Sequence, residues 1–191
     1  MKETNDIPIS YFDMVHSSLP EFKAKHEKYG PTLLTLRLYS IYEQIFIKLK
    51  RLRTIQEKGQ QLVADSIEDD FSGIFNYSIF LKIKIYSLKN NIDLEKEYPK
   101  NPVPFYELAL EELTELYGKK NHDYGEVWRE MRISSMIDLM LIKTLRFAQI
   151  FDSQKIAIEA KYDDFNEIAN DIANYAVFCK VRIQTGADPM K

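Results

Sequence analysis

KYGPTLLTLRLYSIYEQIFIKLKRLRTI at Lys28–Ile55 and DYGEVWREMRISSMIDLMLIKTLRFAQI at Asp123–Ile150 are two versions of one segment. A shift of 95 positions lays Lys25, Tyr29, Gly30, Arg37, Ser40, Ile47, Lys48, Arg51 and Ile55 onto Lys120, Tyr124, Gly125, Arg132, Ser135, Ile142, Lys143, Arg146 and Ile150. A shift of 98 then lays Ile74, Asn76, Tyr77, Phe80, Lys82 and Ile85 onto Ile172, Asn174, Tyr175, Phe178, Lys180 and Ile183. Unrelated segments match at about one position in 16, so the shared offset marks a tandem duplication. Between the copies lies YPKNPVP, Tyr98–Pro104, whose three prolines favour an extended connection. The spacing divides the chain into a first copy at 8–97, a linker at 98–104 and a second copy at 105–186. A period this long is a small helical unit rather than a solenoid repeat.

Each copy reads as helices. Leu108, Leu110, Leu113 and Leu116 follow the helical period across Tyr106–Tyr117, with Gly118 as a stop. Glu126–Phe151 has no Gly or Pro and permits one long helix, or a second one capped at Ser134 or Ser135. Asp163 or Asp164 is a candidate cap for a last helix to Ile183, with Gly186 and Pro189 beyond it. Phe75–Leu88 has β-branched character, but its repeat partner follows an Ala-rich stretch, so both are read as helix. The expected fold is all-α: two tandem three-helix repeats packed as a pseudo-two-fold bundle.

With 26 Lys+Arg against 29 Asp+Glu, 45% apolar residues and 13% aromatic ones, the composition is that of a globular protein with a sizeable core. The net charge of −3 gives no reason to expect bulk nucleic acid or an anionic membrane as partner. The single cysteine excludes a disulfide framework. MKETNDIPIS has no signal-peptide core, and no window approaches the roughly 18 apolar residues of a membrane span. These features lead to the expectation of a cytoplasmic chain, with a homodimer as the expected assembly.

The chemistry-bearing pattern is basic. On a helical wheel with Arg132 at the origin, Lys143 falls near about 20°, Arg146 near about 320° and Ser135 near about 300°. Arg37, Ser40, Lys48 and Arg51 repeat the sector in the first copy. Cations gathered on one face repel unless something negative lies opposite. A phosphate cradle is one reading, since Arg offers a planar fork and Lys a compact charge. An interhelical salt-bridge network is the other. The Tyr-Gly pairs at 29–30 and 124–125 are expected to form the turn entering the long helix, whose first N–H groups would face an anion. The repeated Asn76-Tyr77 and Asn174-Tyr175 add amides that can read a base edge.

Acids suited to Mg²⁺ are Glu167 and Asp171, four apart on the last helix, with Asp138 as a third. The first copy has Asp69, Gly73 and Glu43 at these positions and so lacks one ligand. No histidine pair has metal-ligand spacing; His122 beside Asp123 could serve as a base. Cys179 and Trp128 read as core residues, with Arg129 keeping a stacking role open for Trp128.

The run from Lys120 to Ile150 followed by NDIANYAVF resembles the nucleotide-modification-associated domain 1 family, and the weaker copy resembles it too. The residues that carry the likeness are Asp123-Tyr124-Gly125, Trp128-Arg129, Arg132, Ser135, Asp138, Lys143, Arg146, Asp171 and Asn174-Tyr175. The first copy departs with Lys28 for Asp123, Leu33-Leu34 for Trp128-Arg129 and Gly73 for Asp171. The resemblance implies a role in nucleotide or modified-base metabolism. A looser likeness is to MazG-type all-α nucleoside triphosphate pyrophosphohydrolases, although the paired-acid run of such enzymes shrinks here to Asp138 alone.

Two expectations follow. One is a nucleotide-binding protein with Arg129, Arg132, Lys143 and Arg146, and Arg37, Lys48 and Arg51 in the first copy, on phosphate. Asp123, Tyr124, Ser135, Asn174 and Asn76 would contact the rest of the ligand. Its finer form is a Mg²⁺-dependent pyrophosphohydrolase with Asp138, Glu167 and Asp171 as catalytic and metal-binding acids. The other is a non-catalytic scaffold whose charges pair internally.

Overall fold

The computed structural model describes residues 10–31, 36–99, 101–153 and 157–188, and among these it contains helices and no strand. The elements are α1 (Tyr11–His16), α2 (Ser18–Tyr29), α3 (Leu38–Lys58), α4 (Ile67–Lys89), α5 (Leu94–Glu97), α6 (Val103–Tyr124), α7 (Ile133–Asp152) and α8 (Tyr162–Gln184). Short 3₁₀ turns at Val127–Arg129 and Ile158–Lys161 precede α7 and α8.

Local chemistry sets the ends. Ser10 and Asp13 form a reciprocal capping box at α1, and the Ser66 hydroxyl accepts from the Asp69 N–H at 3.0 Å to start α4. Gly59 stops α3 in the left-handed conformation. Neither Arg37 nor Arg132 caps with its side chain; at α7 the Asp188 carboxylate accepts from the Ile133 N–H at 2.7 Å instead. Lys161 closes the other end of α7, donating to the carbonyls of Phe151 and Ser153 at 3.3 and 2.6 Å.

The duplication is visible in the backbone. Helices α1 and α2 together correspond to α6, α3 to α7 and α4 to α8, and the two third helices, α4 and α8, pack on each other most extensively at the centre. Both are buried on several faces, so one hydrophobic core runs through both copies. The expected pseudo-two-fold helical bundle is what the chain forms.

The first helices cross over. The Tyr11 hydroxyl of α1 donates to Asn174 Oδ1 on α8 at 2.6 Å, and Tyr106 of α6, 95 residues later, donates to Asn76 Oδ1 on α4 at 3.0 Å. Tyr11 stacks on Tyr117 at 3.6 Å and Tyr106 on Phe22 at 4.1 Å, which is the same pair generated twice. Each copy therefore clamps the other's third helix.

Several expected boundaries move. Gly118 does not stop its helix: α6 runs on to Tyr124 because no side chain or turn interrupts the ladder. It also starts at Val103, inside the proline-rich segment, because proline is tolerated in a first turn. The single long helix is broken, with the 3₁₀ turn and the extended Arg132 ahead of Ile133. Asp163 and Asp164 lie within the first turn of α8 rather than at its cap. Pro189 lies outside the described residues, as do Leu33 and Leu34.

Candidate functional site

Two clefts occupy matching places. Cleft two, about 340 Å³, lies between the C-terminal part of α6, the 3₁₀ turn, α7 and α8; cleft one, about 450 Å³, lies between α2, α3 and α4. Shifting by 95 or 98 residues carries Lys25, Tyr29, Gly30, Lys48, Asn76, Tyr77 and Phe80 of cleft one onto Lys120, Tyr124, Gly125, Lys143, Asn174, Tyr175 and Phe178 of cleft two. All seven are positions at which the two copies are identical. Phe22, His26 and Gly73 fall on Tyr117, Asn121 and Asp171, the positions that changed.

In cleft two the cations converge on one carboxylate. Lys120 and Lys143 reach the two oxygens of Asp171 at 2.8 and 2.6 Å, from α6 and α7 onto α8. The Asp171 hydrogen bond raises the Lys143 ammonium above its ordinary value, with the charge of Glu167 adding to it. Glu167 lies outside the lining, where two lysines share one acid and leave a surplus positive charge, and each ammonium keeps further protons to donate. Burial raises the neighbouring Tyr175 hydroxyl, and the Asp171 carboxylate raises it further.

Aromatic rings make the opposite wall. Trp128 is buried and stacks on Phe178 at 4.6 Å, with the Arg129 guanidinium over its other face at 4.4 Å. Arg182 of α8 holds this turn by donating to the Arg129 carbonyl. Tyr124 stands exposed at the mouth, and Asn121 Oδ1 is buried in the lining without a partner. At the base, Asn174 is fixed between the Tyr11 hydroxyl and the Asn170 carbonyl.

Cleft one carries the same plan with different charges. Gly73 replaces Asp171, and a side chain there would collide with Lys48, whose Cε lies 2.5 Å from the ideal Cβ position. Lys48 turns to Asp70 at 3.2 Å, a carboxylate that also binds Arg51, while Lys25 pairs with Glu21 at 2.7 Å.

The basic stripe is only partly gathered. Lys143 and Lys48 line the clefts, whereas Arg132, Arg146, Arg37 and Ser135 are exposed and line neither. The wheel misplaces Arg132 and Arg37 because both lie at the extended residue before their helix, where helical angles do not apply. Arg129 is bound to Glu126 at 2.6 Å beside cleft two, and Arg51 is held by Asp70 and the Asp65 carbonyl. The Tyr-Gly pairs end α2 and α6 instead of opening the next helix, and the first α7 N–H is already taken by Asp188.

The three acids do not converge either. Asp138 is paired with Arg53 of α3, Glu167 is exposed, and Asp171 is held by its two lysines. Among the described residues, no three His, Cys, Asp or Glu side chains form a metal-holding group. Asp123 is exposed at 3.0 Å from His122, outside the cleft lining. Burial raises the Cys179 thiol and places it in the core, as its sequence surroundings implied. The residues that sequence reasoning passed over are Lys120, Asn121, Tyr117 and Phe178. Lys120 was legible as the first identity of the repeat, opposite Lys25.

No helix among the described residues is long and apolar enough to cross a membrane. No curated protein and no solved structure matches the chain. The model of the nucleotide modification associated domain 1 family matches at residues 25–85 and again at 120–183, the segments that supply most of the lining of the two clefts, and the chain belongs to that family as two tandem copies.

Proposed function

We propose that the protein binds a nucleotide in cleft two, with the phosphates at Lys120 and Lys143 and the base against the exposed Tyr124 ring. The observation that carries this reading is the pair of lysines sharing the single carboxylate of Asp171 inside an aromatic-walled cleft. Their surplus charge suits phosphoryl oxygens, and Asp171 keeps the ammonium groups in place before the ligand arrives. Asn174, fixed by Tyr11, and Asn121, with its free carbonyl oxygen, offer polar groups for a base or sugar. The family's association with nucleotide modification supports the same class of ligand. The proposal is one of binding. Asp138, Glu167 and Asp171 do not fit a common Mg²⁺ cradle in this arrangement, so no hydrolytic step is built on them.

A panel of ribo- and deoxynucleoside mono-, di- and triphosphates in a thermal-shift assay tests the reading. A ligand at about 100 times its Kd stabilises the folded state by about 2.7 kcal/mol. In a chain of this size that raises Tm by roughly 5–10 °C. A second reading is favoured by Lys48 and Arg51 on Asp70 and by Arg53 on Asp138, which link helices without any ligand. It makes the protein a scaffold, and a flat response to the whole panel would support it over nucleotide binding.

A further inference from the structure

Cleft one is the larger cavity, and its chemistry differs from that of its twin. In cleft two, two lysines share one acid; in cleft one, Lys25 has Glu21 and Lys48 has Asp70, and Asp69 adds a further carboxylate to the lining. Lys180 faces this group from α8, next to Glu21, Glu68, Asp69 and Lys25. Among the side chains that line it, Glu21 and Asp69 balance Lys25 and Lys48, whereas the lining of cleft two sets Lys120 and Lys143 against Asp171 alone. The walls are strongly aromatic: Phe22, Tyr29, Tyr77, Phe80 and Tyr98.

One buried polar atom of its lining is unused. The Tyr98 side chain is 1% exposed and its hydroxyl has no hydrogen-bond partner, which is costly unless something enters to meet it. Asn76 is a second polar residue of the lining, its Oδ1 fixed by the Tyr106 hydroxyl. His26 lies edge-on to the Tyr98 ring at 5.7 Å.

We propose that cleft one is a second ligand site that takes an uncharged nucleoside, a heteroaromatic base with its sugar and without phosphate. The balanced charge selects against phosphate, the rings stack the base, and Tyr98 and Asn76 meet its polar edge. The choice of a base and sugar rests on the nucleotide reading of cleft two, of which cleft one is the duplicated counterpart.

Calorimetric titration of the full chain with deoxyadenosine, deoxyguanosine, deoxycytidine and thymidine tests this. Each is run with and without a saturating deoxynucleoside triphosphate, beside the corresponding free bases. At least one nucleoside is expected to bind saturably at one site per chain, to persist when triphosphate is present, and to bind more tightly than its free base. Tyr98→Phe removes only an unpartnered hydroxyl, so Tm should not fall while the nucleoside Kd rises roughly tenfold. Absence of nucleoside binding, displacement by triphosphate, a free base that binds as tightly, or an unchanged Kd in Tyr98→Phe would each overturn the proposal. Triphosphates that raise Tm while nucleosides do not bind would sink this inference alone; nucleosides that bind while triphosphates fail would sink only the reading of cleft two.

Discussion

Tyr11 and Tyr106 show how one residue type, duplicated, does two different amounts of work. Both donate across the copies to an asparagine that lines a cleft, but Asn174 is buried at the base of its cleft whereas Asn76 is only half-buried in its own. Tyr11→Phe leaves a buried carbonyl oxygen unmet and is expected to cost about 1–2 kcal/mol, against about 1 kcal/mol or less for Tyr106→Phe, whose acceptor water can reach. Equilibrium urea unfolding measures both, and equal losses would contradict the difference in burial. These hydroxyls also set an alkaline limit. Burial raises Tyr11 and Tyr106 above the ordinary tyrosine value, and pushes Tyr42 up to about 12. The unfolded chain ionises first, so their contribution is fully present below about pH 10 and is lost as pH rises through the folded values. Stability should therefore fall steeply above about pH 10, less so in the double Tyr→Phe variant, as followed by tyrosinate absorbance and circular dichroism.

At the scale of elements, two glycines define the site's rim and a third does not. Gly30 and Gly125 adopt φ of 66° and 62° with ψ of −163° and −165°, a conformation that only glycine holds without strain. Gly118 lies inside α6 with open space around its Cα. Gly125→Ala should lower stability by about 1–3 kcal/mol and Gly118→Ala should raise it by about 0.5–1 kcal/mol. Denaturant midpoints that move the same way for both would show that the Gly125 turn is not what ends α6. The elements themselves were legible because helical periodicity and the internal repeat are strong signals: the all-α class, the tandem copies and a final helix to about Ile183 come directly from them. What was not legible was where backbone conformation departs from the wheel. Nothing in the composition of Glu126–Arg132 announces a 3₁₀ turn and an extended residue, and those two features swing Arg132 away from Lys143. Nor does the repeat offset reveal that Asp171 is held by a lysine of each neighbouring helix, since that depends on how three helices pack.

The whole molecule is one core made by exchange. Because α1 packs on α8, α6 on α4 and α4 on α8, each third helix is covered partly by its own copy, through α3 or α7, and partly by the other. Residues 1–97 and 98–191 expressed separately should lack cooperative unfolding and recover it when mixed; a half that melts cooperatively alone would contradict the exchange. The same duplication places the two clefts in corresponding positions, and their seven shared identities are the reason to regard cleft two as a ligand site rather than a packing defect. The most direct test is to map bound deoxynucleoside triphosphate by amide NMR shifts in the full chain and in Lys143→Ala. The account predicts saturable shifts clustered at Lys120, Gly125, Lys143, Asp171 and Asn174, with affinity at least about tenfold weaker in Lys143→Ala. Absent shifts, or shifts centred on the exposed Arg132–Arg146 face with Lys143→Ala binding as the parent does, would contradict it.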